Sequence, residues 1–292
     1  MRTKVALIGA SGNLGPAVLN QLLEAVFDVT VLTRQESNKT FDTRAKVAKV
    51  DYGSLDSLKN AFSGQDVVVS TLGVGAVPRD THLRLVDAAA AAGVKRFIPS
   101  EYGCDTTNPN TAKLPVFGDK IAVQDHLKKA SEQSGLSYSL LMTGPFLDWG
   151  IKNGVLLNFS GPVTPLYDGG ERKFSATTLS DVGRGIVGII NNLAETKNKA
   201  VYVSSATVSQ KQLLDLSGKS VKTETVATAD LEKGAYEELS KPNPNPEAFA
   251  IPFLLRGIFG DGFGTRFDSD KLSNKAFGLK PLSDNDIRGF FN

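Results

Sequence analysis

The segment Gly9-Ala10-Ser11-Gly12-Asn13-Leu14-Gly15 carries the clearest chemical signal in the sequence. Its glycines have the spacing G-x-x-G-x-x-G, and glycine permits both a tight turn and the close approach of a pyrophosphate. An apolar run at 5–8 precedes it, which is typical of a buried strand, and apolar residues recur at helical spacing behind it. A strand, a glycine turn and a helix whose free N–H groups face phosphate predict a dinucleotide-binding unit. The alternative is a glycine turn that binds no ligand.

Arg34 follows the next buried run, at 29–32, where the residue type distinguishes NAD from NADP. An acidic residue at this point binds the ribose 2′-hydroxyl, whereas an arginine accommodates a 2′-phosphate. The nearest acid, Glu36, lies two residues further on, and Lys39 adds a donor to the same loop. These residues predict NADPH/NADP as the cofactor, the alternative being a solvated loop arginine.

Strand-like and helix-like segments alternate through the first half of the chain. The predicted strands after the first two cover 46–50, 66–70, 96–99 and 138–142, and helices are predicted at 55–62, 83–92 and 118–133. This alternation predicts an α/β fold with a doubly wound, mostly parallel Rossmann sheet. Asp51 and the segment Thr71-Leu72-Gly73 follow the third and fourth strands, and ligands bind at such carboxyl ends.

The regular alternation loosens beyond Phe146. We therefore predict an NADP-binding Rossmann domain over 1–150 and a smaller, mainly substrate-binding region over 151–292, packed on it and with some elements returning to the sheet. A polar loop at 104–115 is predicted to form one wall of the active site. Ser180 is predicted to cap a helix over 181–191.

The residues that could transfer a proton do not follow the common pattern. None of the six tyrosines has a lysine four residues later, so the Tyr-x-x-x-Lys dyad of typical short-chain dehydrogenases is absent. The chain instead resembles the NmrA-like/isoflavone-reductase-like family of atypical short-chain dehydrogenases/reductases. The resemblance is carried, in chain order, by the glycine turn, Arg34, Phe97-Ile98-Pro99-Ser100-Glu101-Tyr102-Gly103, Lys120 and Gly144-Pro145-Phe146-Leu147-Asp148-Trp149.

The resemblance implies that Lys120 lies beside the nicotinamide and serves as the catalytic acid/base. The alternative for Lys120 is a solvated helix lysine like Lys128 and Lys129. The motifs and the resemblance together predict these cofactor-binding residues: Gly9, Ser11, Gly12, Asn13, Leu14, Gly15, Arg34, Lys39, Asp51, Thr71, Leu72, Gly73, Ser100, Glu101, Lys120, Gly144, Pro145 and Phe146. The predicted substrate-binding residues are Tyr102, Phe146, Trp149 and Phe263, although aromatic residues of this kind also form protein cores.

The function expected on this basis is NADPH-dependent reduction of a small aromatic or polyketide-like metabolite, with hydride from nicotinamide C4. One alternative is a non-catalytic NAD(P)-binding regulatory or redox-sensing protein, which the same family contains. Another is a cofactor-bound enzyme whose net reaction is an isomerisation or cyclisation. A lysine at position 120 favours a reductase, since a sensor does not need it.

Bulk composition excludes several other classes of protein. The net charge is +2 without a basic cluster, which argues against a nucleic-acid partner. Two histidines and one cysteine, widely spaced, offer no zinc site. No apolar run approaches the length of a membrane span, and a single cysteine fits a reducing compartment, so we expect a cytoplasmic protein without membrane contact.

Overall fold

The computed structural model describes residues 2–73 and 75–291. Its strands are β1 (Lys4–Ile8), β2 (Asp28–Arg34), β3 (Lys46–Val50), β4 (Val67–Ser70), β5 (Arg96–Ile98), β6 (Ser137–Met142), β7 (Thr164–Tyr167), β8 (Phe174–Ala176), β9 (Lys199–Tyr202), β10 (Ala206–Val208) and β11 (Thr223–Val226). Its α-helices are α1 (Gly15–Glu24), α2 (Leu55–Phe62), α3 (Arg79–Ala91), α4 (Pro109–Lys113), α5 (Gly118–Ser134), α6 (Leu147–Lys152), α7 (Leu179–Asn191), α8 (Gln210–Ser217), α9 (Thr228–Leu239), α10 (Pro246–Phe259), α11 (Asn274–Phe277) and α12 (Asp284–Arg288). Short 3₁₀ turns cover Pro115–Phe117 and Gly289–Phe291.

The central sheet has the strand order β3-β2-β1-β4-β5-β6-β9. Every pair from β3 through β6 is parallel, and β1 is aligned with both β2 and β4. The order reverses between β1 and β4, which creates the crevice at the carboxyl ends of strands where doubly wound folds bind ligands. The predicted doubly wound, mostly parallel α/β sheet is confirmed.

The chain forms two compact units, and it passes between them several times. The first unit comprises the chain up to Glu101, then Asp119–Leu141 and Val182–Val201. The second comprises Tyr102–Gly118, Met142–Asp181 and the chain from Tyr202 onward. These limits differ from the single predicted division at 150, because the loop after β5 and the segment after β6 pack with the second unit.

The core of the first unit is formed by the central strands of the sheet, which are buried on both faces. All of β4 is buried, and in β1 only the first residue is exposed. Continuous apolar runs such as 67–69 are the sequence counterpart of a strand covered by helices on both faces. This burial fixes the carboxyl ends of β1 and β4 beside each other.

The core of the second unit is rich in phenylalanine. Phe174 meets Phe259 edge to face at 5.2 Å between ring centroids, and Tyr167 stacks on Phe259 at 5.0 Å. Two short two-stranded sheets, β10-β8 and β11-β7, lie in this unit. Their strands are too short and irregular in pattern to be separated from loops by periodicity.

Two local predictions are wrong in detail. The predicted loop at 104–115 contains α4, because the Asn108 side chain accepts hydrogen bonds from the backbone N–H groups of Asn110 and Thr111 and Pro109 suits the first helical position. The helix predicted from 181 begins at Leu179, and its cap is the Thr178 hydroxyl, which accepts from the Asp181 N–H at 3.1 Å. A capping hydroxyl was available at both Thr178 and Ser180, and the pattern did not distinguish them.

Candidate active site

Two glycines of the glycine turn are required by packing within the described chain, whereas the third, Gly12, has room for a Cβ. Gly9 has φ +83°, and a Cβ there would lie 2.8 Å from the Thr71 hydroxyl oxygen. A Cβ on Gly15 would lie 2.2 Å from the Gly9 carbonyl oxygen. Among the described residues, a Cβ on Gly12 would meet just the carbonyl oxygens of Gly9 at 3.4 Å and Thr71 at 4.0 Å. Internal packing therefore requires Gly9 and Gly15, whereas Gly12 leaves room on the ligand side.

The turn leads into the N-terminus of α1 without a competing cap. Within the described chain, the cap residue Leu14 makes no side-chain hydrogen bond to the helix, and Pro16 occupies the first turn. The first turn also contains no acidic residue. The free N–H groups and the positive end of the helix dipole are consequently available to an anion.

A cavity of about 350 Å³ in the first unit extends from this turn along the carboxyl ends of β2, β3 and β4. Its lining comprises Gly9, Ala10, Ser11, Gly12, Leu32, Thr33, Arg34, Phe41, Tyr52, Thr71, Leu72, Gly73, Ala76, Val77 and Thr81. We call it the cofactor groove. It brings together seven of the predicted cofactor-binding residues: Gly9, Ser11, Gly12, Arg34, Thr71, Leu72 and Gly73.

Arg34 is the cationic member of the cofactor groove. It is the last residue of β2 and is exposed, and no carboxylate of the described residues pairs with its guanidinium. Tyr52 lies beside it, with its hydroxyl donating to the Leu32 carbonyl at 3.2 Å. Burial raises the pKa of Tyr52 to about 12, against the opposing effect of Arg34, so the phenol is neutral. Arg34 is thus free to meet an anionic ligand.

Tyr52 and Phe41 are groove residues that sequence reasoning missed. The sequence predicts a cofactor contact by Asp51 at the end of β3, whereas the residue that lines the groove there is the next one, Tyr52. Asp51 is not among the described residues that line the groove; its carboxylate accepts from the Gly53 N–H at 2.8 Å, and its own N–H donates to the Ser57 hydroxyl at 3.0 Å. Its observed contacts shape the turn into α2.

Other predicted residues lie beside the groove. Lys39 lines a second cavity, of about 340 Å³, which shares Ala10, Ser11 and Phe41 with the groove. Asn13 is exposed on the turn and Leu14 is buried beneath it, and neither is among the described lining residues.

Two hydroxyls fix the carboxyl edge of the sheet. The Thr71 hydroxyl donates to the Ile8 carbonyl at 2.8 Å, which ties the end of β4 to the end of β1. The Ser100 hydroxyl donates to the Leu72 carbonyl at 2.6 Å, which ties the end of β5 to the same segment. These bonds hold the wall of the groove and involve two residues that were predicted to bind the cofactor.

Lys120 is placed in the first turn of α5 with its amine directed at the carboxyl end of β5. The half-buried Nζ donates a hydrogen bond to the backbone carbonyl of Glu101, whose side chain is buried. The neighbouring Asp119 forms an ion pair with Arg79 at 2.7 Å. Lys120 is therefore distinguished from Lys128 and Lys129, which are exposed further along the same helix.

The remaining predicted residues belong to the second unit. Gly144 has φ +62°, and a Cβ there would lie 1.9 Å from the Ser175 carbonyl oxygen, so glycine is required by packing. Phe146 and Trp149 are half-buried at the start of α6, with Pro145 half-buried just before them, and Tyr102 is buried. Phe263 is 6% exposed within the core, under the Arg256 guanidinium at 4.7 Å. Of the predicted substrate residues, Phe146 and Trp149 present the most accessible rings.

Comparison with known proteins identifies the family. The model of the NmrA-like family matches residues 1–262. The chain belongs to this family. The oxidoreductase aprR of Aspergillus flavus is 35% identical over 267 residues, covering 88% of this chain and 87% of aprR. The oxidoreductase poxI of Penicillium oxalicum is 33% identical over 216 residues, covering 70% of this chain and 66% of poxI.

A solved structure, AtPrR2 with NADP+ and (+)-pinoresinol, has the same fold. Its TM-score is 0.81 at 22% identity, with 99% of both chains covered. The predicted family resemblance is confirmed, and the chain is an oxidoreductase of the NmrA-like family. Every helix in the described residues is too short or too polar to traverse a lipid bilayer.

Proposed function

We propose that this NmrA-like protein is an NADPH-dependent reductase of a small aromatic or polyketide-like metabolite. The observation that carries the proposal is the cofactor groove, where Gly12 and Arg34 line one cavity, and Gly12 belongs to the turn that leads into the uncapped start of α1. No carboxylate of the described residues pairs with Arg34. A dinucleotide needs room for its pyrophosphate, N–H donors for the phosphate oxygens, and contacts for the ribose.

The residues of the groove fit NADPH better than NADH. The 2′-phosphate would be held by Arg34, with Lys39 as a second cation from the adjoining cavity. A ribose 2′-hydroxyl would need a carboxylate there, and Glu36 is not among the described residues that line the groove. The pyrophosphate would be held by N–H groups of the turn around Gly12. AtPrR2, which shares the fold, is a protein solved with NADP+.

The proposed catalytic residue is Lys120. Bound NADPH supplies a hydride from C4 of its nicotinamide. Lys120 would hold or deliver the proton that balances this transfer, and its bond to the Glu101 carbonyl orients Nζ at the carboxyl edge of the sheet. An ammonium has N–H donors and no acceptor, so Lys120 would approach a substrate oxygen as a hydrogen-bond donor.

The proposed substrate class follows from the aromatic residues and from the relatives. The half-buried rings of Phe146 and Trp149 leave apolar surface in the second unit that an aromatic molecule can contact. Tyr102 and Phe263 are more deeply buried and are therefore less accessible to a ligand than Phe146 and Trp149. AtPrR2 was solved with an aromatic ligand, (+)-pinoresinol.

The test begins with the cofactor and continues with turnover. Titration calorimetry should give tighter binding of NADPH than of NADH. A panel of aromatic and polyketide-like metabolites should then include compounds that cause loss of NADPH absorbance, and mass spectrometry should show products two hydrogens heavier. Tight NADPH binding without oxidation by any compound would favour the non-catalytic regulatory alternative. Failure to bind either dinucleotide would contradict the assignment of the groove.

A further inference from the structure

The segment between β2 and β3 decides the shape of the ribose end of the groove. Residues 35–45, all of them described, connect Arg34 to β3 without a helix or strand. Four of them, at 39–42, line the second cavity, whose opposite wall is α1. Phe41 lines both this cavity and the cofactor groove. The position of Lys39 and Phe41 therefore depends on how far the segment stands from α1.

One side chain, Arg44, ties this segment to the helix. Its Nε and Nη2 atoms donate to the two carboxylate oxygens of Asp42 at 3.1 and 2.8 Å. Its Nη1 atom donates to the carboxylate of Glu24, the last residue of α1, at 2.9 Å. The planar guanidinium thus holds two carboxylates in a fixed arrangement, which a flexible ammonium does not do.

We call Arg44, Asp42 and Glu24 the Arg44 cluster. This cluster also fixes a turn at the end of the segment. The Arg44 N–H donates to the Asp42 carboxylate at 2.9 Å, and the Ala45 N–H donates to the Asp42 carbonyl at 3.0 Å. Hydrogen bonds from Arg44 lower the pKa of Asp42 to about 2, so the carboxylate of the folded protein is ionised at neutral pH. The cluster is consequently intact at neutral pH.

The contribution of this cluster to global stability is small. Arg44 is 49% exposed, Glu24 60% and Asp42 38%. Exposed ion pairs contribute little to the free energy of unfolding because solvent and salt screen them. Their effect is local, because residues 35–45 form neither a helix nor a strand whose hydrogen bonds would fix their course.

We propose that Arg44 is a positioning residue for cofactor selection, which holds residues 39–42 along α1 so that Lys39 and Phe41 complete the site for the 2′-phosphorylated ribose. This inference rests on the proposed NADPH function. It assigns a role in specificity to Glu24 and Arg44, which are not among the described residues that line the groove. In this proposal, NADPH is selected in two ways. Arg34 binds the 2′-phosphate directly, and the Arg44–Glu24 pair acts indirectly by positioning residues 39–42.

The experiment uses ligands that require no turnover. Adenosine 2′,5′-bisphosphate and 5′-AMP are titrated calorimetrically into the wild type and into the variants E24Q, R44Q and E24Q/R44Q. We expect each single variant to weaken the bisphosphate by about 1.5- to 5-fold, the range for loss of an exposed ion pair, and to leave 5′-AMP unchanged. The double variant should be no weaker than R44Q, because both changes break one pair.

E24Q distinguishes positioning from simple charge. Removing a carboxylate near a phosphate site strengthens phosphate binding if long-range charge alone matters, whereas the proposal requires weaker binding. K46Q is the matched control for R44Q, because Lys46 is also an exposed cation near the end of this segment and pairs with Asp28 at 2.9 Å. We expect K46Q to bind like the wild type, and circular dichroism should give similar melting temperatures for all variants.

The outcomes separate this inference from the proposed function. If the wild type does not prefer the bisphosphate to 5′-AMP, the NADPH assignment fails and this inference fails with it. If the wild type has that preference and E24Q binds the bisphosphate as well as or better than the wild type, Arg44 has no positioning role. If K46Q binds the bisphosphate as weakly as R44Q does, loss of positive charge explains both results and the positioning role of Arg44 is overturned.

Discussion

Replacing Arg34 by alanine is the most direct perturbation of cofactor choice. Arg34 is exposed at the end of β2 and has no carboxylate partner among the described residues, so its loss should change the free energy of unfolding by no more than about 0.5 kcal/mol. The cost should fall on the ligand. A charge-assisted contact to phosphate contributes about 1.5–3 kcal/mol, which is roughly tenfold to over a hundredfold in the dissociation constant of NADPH.

The assay for Arg34→Ala is titration of NADPH and NADH into the variant and the wild type. We expect the large loss for NADPH and little change for NADH, which lacks the 2′-phosphate. Arg34→Lys is the matched control: it keeps the charge but loses the planar fork, so its NADPH affinity should lie between those of the wild type and the alanine variant. The neighbouring Tyr52 should remain neutral in both variants, because burial dominates its raised pKa.

An equal loss for both dinucleotides would refute this reasoning. It would mean that Arg34 supports the shape of the groove, for example through Tyr52, and does not contact the phosphate. A melting temperature that falls together with the affinity would also indicate a structural role for Arg34. An unchanged NADPH affinity would place the 2′-phosphate elsewhere.

Three further predictions concern the turn, the proposed acid/base and the sheet. Gly12→Val should abolish dinucleotide binding with a near-normal circular dichroism spectrum, whereas Gly15→Val should also lower the melting temperature, because its side chain would overlap the turn itself. Lys120→Ala should reduce turnover by about 10²–10⁴-fold with a smaller loss of NADPH affinity, and Lys120→Arg should not rescue it; full activity of the alanine variant would end the catalytic assignment. Arg96→Ala should destabilise the protein by about 3–5 kcal/mol in urea unfolding, and a loss below about 1 kcal/mol would contradict its role as a buried hub.

The basis for the last prediction is a buried guanidinium with neutral partners. Arg96 is 2% exposed and donates to the hydroxyls of Ser137, Ser139 and Thr196 and to the Leu193 carbonyl, at 2.5–2.9 Å. Burial lowers its pKa to about 10. These bonds join β5, β6 and the chain after α7. Sequence reasoning gave Arg96 no role, because a charged residue at the start of a strand is most often solvated.

The parts of the fold that the sequence predicted well are those with local signals. The predicted bounds of the third strand, 46–50, and of the helix after it, 55–62, are confirmed to the residue. The signal for the helix is local, since its buried residues Leu58 and Phe62 lie four residues apart. In contrast, the side chains of Asn108 and Asn110 bond to the Gly262 carbonyl at 3.1 Å, across more than 150 residues of chain. No period in the sequence records such a contact, so the organisation of the second unit could not be derived from pattern.

The glycine turn at 9–15 shows the same limit of what a sequence pattern can predict. The letters G-x-x-G-x-x-G do not show which glycine serves the fold and which serves a ligand, since both demands select the same residue type. The structure separates them by what a Cβ would meet: backbone at 2.2 Å for Gly15, side chain and backbone of Thr71 within 2.9 Å for Gly9, and ordinary contact distances for Gly12. Gly12 is therefore the glycine of the motif that packing within the described chain leaves unexplained, and the proposed contact with the pyrophosphate would account for it.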